Sequence, residues 1–167
     1  ASFSPLGEGL NVMHIDALAL AERGVAVRVR SDNRKINSIV NCGKALPKHN
    51  IIIVDDQNAE QPDLRVGRVL ISGPSLMEGY LNNPEATEAI LSKDGWLDTG
   101  DLGYMFEGNL YLSGRRKDVI IVNGRNIRAQ DLEELAEEQP EVRMGDASAF
   151  GLEDTQEKQT VVLVVEC

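Results

Sequence analysis

The most informative part of the sequence is the stretch Gly95-Trp96-Leu97-Asp98-Thr99-Gly100-Asp101-Leu102-Gly103-Tyr104. Its central residues, Thr99-Gly100-Asp101, predict a turn that presents a carboxylate, because glycine and aspartate both favour turns. A carboxylate has two acceptor oxygens, so it can receive hydrogen bonds from two vicinal hydroxyl groups of a ribose. The alternative is a solvated turn that binds no ligand, and the residue types alone favour that alternative.

The residues that follow predict a β-hairpin that leads into a second informative stretch, Ser113-Gly114-Arg115-Arg116-Lys117-Asp118. Apolar runs at 102–106 and 110–113 flank turn-forming residues at 107–109. A hairpin returns the chain to its start, so we expect Asp101 and Arg115 to face the same space. A carboxylate and a guanidinium group there could hold a sugar and its neighbouring phosphate. An ordinary surface salt bridge is the alternative.

The pattern of apolar residues, prolines and glycines predicts an α+β fold that is rich in strands. Asp16 predicts the N-cap of a short helix that ends before Gly24, and Asn83-Pro84 predicts the start of a second helix. Further strands are predicted at residues 25–29, 36–40, 51–54, 66–72, 119–122, 147–150 and 160–165, and a third helix at 129–138. The order of elements changes near residue 116. We therefore predict one part over residues 1–116, and a hinge with the beginning of a smaller domain over residues 117–167.

Composition and charge argue against some classes of protein. The 167 residues are 42% apolar and 26% charged, as in an ordinary globular protein, and their formal net charge is −10. This charge argues against a nucleic-acid binder, because such proteins carry a basic stripe that displaces counterions. The sequence has no apolar run long enough to span a membrane, and its first residues lack the pattern of a signal peptide.

Cysteine and histidine content bears on location and on metal binding. Cys42 and Cys167 do not make a disulfide framework, so a reducing cytoplasm is the predicted location. His14 and His49 lack the spacing of metal ligands, and residues 55–58 lack the glycine and closing glutamate of a calcium loop. We therefore predict no metal site within the chain. The chain begins without Met and stops after an apolar, strand-like run, and we expect both ends to be cuts in a longer protein.

Four segments at linked spacing resemble the core motifs of the adenylate-forming superfamily. This superfamily comprises acyl- and aryl-CoA synthetases, nonribosomal adenylation domains, luciferases and fatty acyl-AMP ligases. The segments are residues 67–87, 95–104, 113–118 and 124–133, and the resemblance runs in the family's order from about Asn41 to the end of the chain. It implies that residues 1–116 are the carboxyl-terminal, β-barrel-like part of the large adenylation domain. Residues 117–167 would then begin the small α/β domain.

The resemblance implies roles for four residues. Asp101 matches the aspartate that binds the ribose hydroxyls of ATP and of the acyl adenylate, and Arg115 matches an arginine that also contacts the nucleotide. Lys117 matches the hinge position, about which the small domain swings between two half-reactions. Gly124 matches the glycine of a hairpin that enters the active site in the second half-reaction, where the backbone must approach the acceptor thiol closely.

Within the superfamily the chain looks most like the fatty acyl-AMP ligases. Their pattern is similar to Gly124-Arg125-Asn126 followed by Gln130-Asp131, although Ala129 stands where they have proline. The extra residues 10–35 resemble their insertion, which is thought to restrain domain motion and to disfavour CoA as acceptor. The implied reaction activates a fatty acid with ATP to acyl-AMP and pyrophosphate. The acyl group then passes to the thiol of an acyl carrier protein, or of a carrier domain in a polyketide or nonribosomal synthetase. The alternatives are an acyl-CoA synthetase and a non-catalytic fold fragment or interaction module.

Much of the implied active site is not among the 167 residues. The resemblance implies a glycine- and hydroxyl-rich phosphate loop, an aromatic-Gly-x-Thr-Glu segment whose glutamate helps to hold Mg²⁺, and a late lysine that stabilises the adenylation transition state. The sequence contains none of these segments. No catalytic residue is therefore predicted within it, and ATP, AMP and Mg²⁺ are expected only in the whole protein. The isolated chain is expected to be inactive.

Overall fold

The chain divides into two compact units, Ala1–Ser113 and Gly114–Cys167. The computed structural model describes residues 1–4, 7, 9–29, 35–122, 125–153 and 159–166. The boundary that we predict at residues 116 and 117 falls in a short 3₁₀ turn, Arg116–Asp118, near the start of the second unit. That Lys117 is a hinge stays a prediction.

The first unit is built mainly of antiparallel strands. Its described elements are β1 Ser2–Phe3, β2 Val12–Asp16, α1 Ala17–Arg23, β3 Ile36–Val40, β4 Lys44–Ala45, β5 Asn50–Val54, β6 Gly67–Ser72, α2 Pro84–Ile90, β7 Leu97–Phe106 and β8 Asn109–Arg115. The last two residues of β8 belong to the second unit. Four strands form one sheet in the order β5-β6-β7-β8, while β2 pairs with β3 and β1 with β4. The α+β class is thus confirmed. The described strands form open sheets and no closed barrel.

Both predicted helix starts in this unit are confirmed. The Asp16 carboxylate accepts hydrogen bonds from the backbone N–H groups of Leu18 and Ala19, each at 3.0 Å, and Gly24 ends α1 with φ 60°. The Asn83 side chain caps α2 in the same way, with Pro84 at the first helical position. These caps satisfy backbone donors that a helix end leaves without partners.

The strand predicted at residues 25–29 is wrong. The backbone N–H of Val25 donates to Ala19, that of Ala26 donates to Leu64, and that of Val29 donates to His14. A strand is held by a ladder of consecutive hydrogen bonds to each neighbouring strand. These residues divide theirs among three segments, so their alternating pattern produces only isolated bridges.

The core of the first unit centres on two stacked tyrosines. Tyr104 on β7 is fully buried, and its ring lies parallel to that of Tyr111 on β8, with 5.1 Å between the centroids. The Tyr104 hydroxyl donates to the sulfur of Met13 at 3.5 Å. The same cluster contains Met13, Ile15, Leu20, Ala26, Ile39, Tyr104 and Tyr111. A second cluster, of Ile53, Val69 and Leu110, is formed by side chains of the four-stranded sheet itself.

In its described residues, the second unit combines two antiparallel strand pairs with one helix. Its strands are β9 Val119–Val122, β10 Arg125–Arg128, β11 Ala147–Glu153 and β12 Gln159–Val165, and α3 spans Ala129–Glu137. β9 pairs with β10 and β11 with β12, both antiparallel. Ile120, Ala129 and Ala149 form its core. The Glu133 carboxylate accepts a hydrogen bond from the Ala149 N–H at 2.9 Å, which ties α3 to β11.

The stacked tyrosines predict a loss of stability at high pH. Burial raises the pKa of Tyr104 far above its ordinary value, and burial also raises the pKa of Tyr111. Above about pH 10 the unfolded chain releases these protons while the folded chain retains them. The free energy of the unfolded state therefore falls relative to that of the folded state. We expect the unfolding free energy to fall as the pH rises above about 10. Tyr104→Phe should make this fall smaller, as measured by urea denaturation across pH 8 to pH 12.

Tyr80→Phe is the matched control, because Tyr80 is exposed and lies outside the core clusters. Its pH profile should coincide with that of the unmodified chain. Identical profiles for all three proteins would contradict the prediction.

Candidate functional site

Asp101 lies in a β-bulge within β7. In the pairing of β6 with β7, Arg68 is opposite Leu102 and Leu70 is opposite Asp98. Three residues, Thr99 to Asp101, therefore stand opposite the single residue Val69. The predicted turn at Thr99-Gly100-Asp101 is wrong, because these residues form a bulge and the strand continues on both sides of them. Bulges of this kind re-aim a side chain without ending the sheet.

Hydrogen bonds from side chains define the bulge. Gly100 has φ 74°, a left-handed conformation that glycine adopts without steric cost. Its N–H donates to Asp98 Oδ1 at 2.9 Å. The Thr99 hydroxyl donates to the carbonyl of Val69 at 3.0 Å and accepts from the Asp101 N–H at 3.1 Å. The hydroxyl thus bridges two backbone groups that the bulge separates, and the half-buried Asp101 has a fixed backbone.

An ion pair lies beside the bulge. Arg68 Nη1 donates to Asp98 Oδ2 at 2.7 Å, and the exposed fractions of the two side chains are 14% and 21%. Arg68 Nη2 donates to the carbonyl of Asp55 at 3.1 Å and to the side-chain oxygen of Asn58. Sequence reasoning missed Arg68, because no local pattern connects it with a residue 30 positions later. An aspartate two residues before a glycine, as at Asp98, is a turn signal that could have revealed the other half of the pair.

The structure places Arg115 as the last residue of β8, where it is exposed. β8 is hydrogen-bonded to β7, the strand that carries Asp101, so the hairpin predicted from the sequence is present. Arg115 belongs to the second compact unit and Asp101 to the first. Their joint contact with one nucleotide stays a prediction.

The remaining predicted residues belong to the second unit. Lys117 is exposed at the middle of the 3₁₀ turn Arg116–Asp118. Gly124 lies outside the residues that the structure describes. Of the neighbouring motif, Asp131 accepts hydrogen bonds from the Arg128 side chain at the start of α3. Asp131 therefore has a structural role, because it holds the Arg128 side chain at the start of α3.

The described part of the chain holds no group of three or more His, Cys, Asp or Glu residues that could bind a metal ion. It also has no helix long and apolar enough to cross a membrane, since α3, the longest helix there, has nine residues and a span needs about 20.

The Thr99 bridge gives a direct test of the bulge. Thr99→Val has the same shape but no hydroxyl, so the Val69 carbonyl and the Asp101 N–H lose their shared partner. We expect the unfolding free energy to fall by about 1–3 kcal/mol, the usual cost of an unsatisfied backbone group. Thr99→Ser retains the hydroxyl and should lose clearly less. Urea denaturation compares the two variants, and a Val variant as stable as the Ser variant would show that the bridge contributes nothing.

Known proteins resemble the chain over nearly its whole length. A putative acyl-CoA synthetase of Caulobacter vibrioides is 41% identical over 164 residues, which cover 98% of this chain and 29% of that protein. A solved structure from work on fatty acyl-adenylate ligases of E. coli and L. pneumophila has a TM-score of 0.85 and 44% identity. The likeness covers 99% of this chain and 29% of the solved one.

A second similar structure is an adenylation domain of a nonribosomal synthetase. The adenylation domain of a keto acid-selecting nonribosomal synthetase module, bound to a keto acyl adenylate, has a TM-score of 0.64 and 35% identity over 91% of this chain and 26% of its own. No protein-family model matches the chain. The chain spans less than a third of the length of each of these three proteins. The chain thus belongs to the adenylate-forming family of acyl-CoA ligases, acyl-AMP ligases and nonribosomal adenylation domains, and it corresponds to part of such an enzyme.

Proposed function

We propose that this chain is the nucleotide-contacting end of the large domain and the start of the small domain of a fatty acyl-AMP ligase. The observation that carries the proposal is the Asp101 carboxylate on a bulge whose backbone is fixed by Thr99 and Asp98. The likeness of the whole chain to a fatty acyl-adenylate ligase supports the choice of branch. The proposed location is the cytoplasm, where ATP and carrier proteins are available.

The proposed reaction has two half-reactions. In the first, a fatty-acid carboxylate oxygen attacks the α-phosphorus of ATP in line, a new P–O bond forms, and pyrophosphate leaves. In the second, the sulfur of an acceptor thiol attacks the acyl carbon, a thioester bond forms, the bond from the acyl carbon to AMP breaks, and the thiol proton is released. Positioning and charge neutralisation supply most of the rate enhancement in such displacements.

The residues of this chain act in this scheme by binding. Asp101 accepts hydrogen bonds from the ribose hydroxyls, and Arg115 contacts the nucleotide through its guanidinium group. Neither transfers a proton to or from a reacting atom. No residue of this chain is proposed to bind Mg²⁺, because the described residues offer no suitable cluster.

The acceptor thiol distinguishes two branches of the family. The proposal assigns it to a carrier protein or carrier domain, and Gly124 is proposed to approach it. A second candidate is an acyl-CoA synthetase with free CoA as acceptor, which the name of the Caulobacter relative favours.

Asp101→Ala in the full-length ligase tests the nucleotide contact. Loss of charge-assisted hydrogen bonds to the ribose should lower kcat/KM for ATP by about 10- to 160-fold, equivalent to about 1.5–3 kcal/mol. The KM for the fatty acid should not change. Pyrophosphate release measures the rate, and the isolated 167-residue chain serves as the negative control.

Asp94→Asn is the matched variant, because Asp94 is an exposed acid in the same unit. Its kcat/KM should equal that of the parent. If Asp101→Ala retains the parental kcat/KM with an unchanged unfolding temperature, Asp101 does not bind the nucleotide.

Lys117→Pro tests the hinge. Proline fixes φ and removes a backbone donor, so it should restrict rotation at the boundary that we propose between the two domains. We expect adenylation to stay close to the parental rate while transfer to the thiol slows about tenfold or more, with accumulation of acyl-AMP. Lys117→Ala removes the same side chain without restricting φ, and it should transfer normally.

The two half-reactions are measured separately, by acyl-AMP formation and by loading of the thiol. Holo carrier protein and free CoA are supplied in parallel, so the same assay shows which acceptor the parent enzyme uses. Equal losses in both half-reactions for Lys117→Pro, or equal behaviour of the Pro and Ala variants, would remove Lys117 as the pivot. Preference of the parent for CoA would favour the acyl-CoA synthetase instead.

A further inference from the structure

We propose that Arg68 is a positioning residue for the nucleotide, which acts through Asp98 to fix the bulge that carries Asp101. The inference rests on the proposed contact between Asp101 and the ribose. Arg68 itself lies on β6, the strand next to the bulge, and its side chain is only 14% exposed.

The first step is that the Arg68 side chain is anchored away from the bulge. Its Nη2 donates to the Asp55 carbonyl and to Asn58, in the turn that follows β5. That turn is braced internally, because the Asp55 carboxylate accepts from the N–H groups of Gln57 and Ala59, both at 2.9 Å. The guanidinium group therefore has a fixed reference point.

The second step passes from Arg68 to the backbone of the bulge. Asp98 uses its two carboxylate oxygens for different partners: Oδ2 accepts from Arg68 Nη1 at 2.7 Å, and Oδ1 accepts from the Gly100 N–H at 2.9 Å. The ion pair thus sets the orientation of the carboxylate, and the carboxylate holds the peptide group of Gly100. The next residue along the chain is Asp101.

The third step is that packing does not hold Gly100, the middle residue of the bulge. A Cβ atom placed on Gly100 would meet no heavy atom within 4 Å. Glycine also adopts many backbone conformations, of which φ 74° is only one. With open space around it and a permissive residue, the conformation depends on the hydrogen bonds of Asp98 and Thr99.

The geometry of the ion pair fits positioning better than simple stabilisation. A carboxylate and a guanidinium group pair most strongly with two parallel hydrogen bonds. Arg68 instead spreads its two Nη atoms over three acceptors, and its buried Nε has no hydrogen-bond partner in the part of the chain that the structure describes. A partly buried pair of this kind is weak evidence for stability. Lysine could not replace it, because an ammonium group carries its donors on one atom.

The experiment uses ribose discrimination in the full-length ligase. The ratio of kcat/KM for ATP to kcat/KM for 3′-deoxy-ATP measures how much the enzyme gains from one ribose hydroxyl. We expect a ratio of about ten or more in the parent, the usual gain from a hydrogen bond to a charged group, and a ratio near one in Asp101→Ala. Arg68→Lys and Asp98→Asn should lower the ratio at least about threefold, with an unchanged KM for the fatty acid.

Arg65→Lys is the matched control, since Arg65 is exposed and lies three positions before Arg68; it should keep the parental ratio. Arg68→Lys retains the charge, and thermal unfolding confirms that each variant is folded. A merely structural role would lower kcat/KM for both nucleotides by the same factor and leave the ratio unchanged, and that result would overturn the inference.

Two further outcomes separate the inference from the proposed function. If Asp101→Ala loses discrimination while Arg68→Lys and Asp98→Asn retain it, the inference fails and the role of Asp101 stands. If the parent enzyme uses both nucleotides equally, the ribose contact of Asp101 fails, and the inference is overturned with it.

Discussion

The hydrogen bond from the Gly100 N–H to the Asp98 carboxylate is the constraint on which the candidate site depends. β7 must accommodate extra residues without losing its neighbour β6, and regular pairing resumes on both sides, at Leu97 and Asp98 and again at Leu102 and Gly103. Beyond the bulge, Tyr104 anchors the same strand in the core of the first unit. The bulge is therefore clamped between two regular ladder segments, and its side-chain hydrogen bonds decide which way Asp101 is presented.

This arrangement suits a reaction in which the protein gains most by holding its substrate. In-line displacement at phosphorus demands alignment of the attacking and leaving oxygens, and a nucleotide fixed by its ribose loses much of its freedom before the reaction begins. A carboxylate on a preformed bulge does not have to be ordered when the nucleotide binds, so less binding free energy is spent on ordering the protein. The chain contributes the ribose contact in this account, and other parts of the proposed enzyme contribute the phosphate contacts.

Local sequence signals predicted the features of the fold that depend on neighbouring residues. The caps at Asp16 and Asn83 and the hairpin between β7 and β8 each involve residues a few positions apart, and all are present. The strand predicted at residues 25–29 failed because its hydrogen-bond partners come from three different segments. The alternating pattern could not reveal that competition.

The same distinction applies to the candidate site. Asp101 could be selected from its own motif, but the motif suggested a turn, because glycine and aspartate mark turns and bulges alike. Only the register of β7 against β6 separates the two. The Arg68–Asp98 pair joins residues 30 positions apart, and it becomes visible when the sheet places them side by side.

A crystal structure of the full-length ligase with a non-hydrolysable acyl-adenylate analogue would show directly whether Asp101 holds the ribose. We expect the Asp101 carboxylate oxygens to lie about 2.5–3.0 Å from the ribose O2′ and O3′ atoms, with Arg68 still in contact with Asp98 and Gly100 at its positive φ. A ribose held by other residues, with Asp101 turned away or the bulge rearranged into a regular strand, would contradict it.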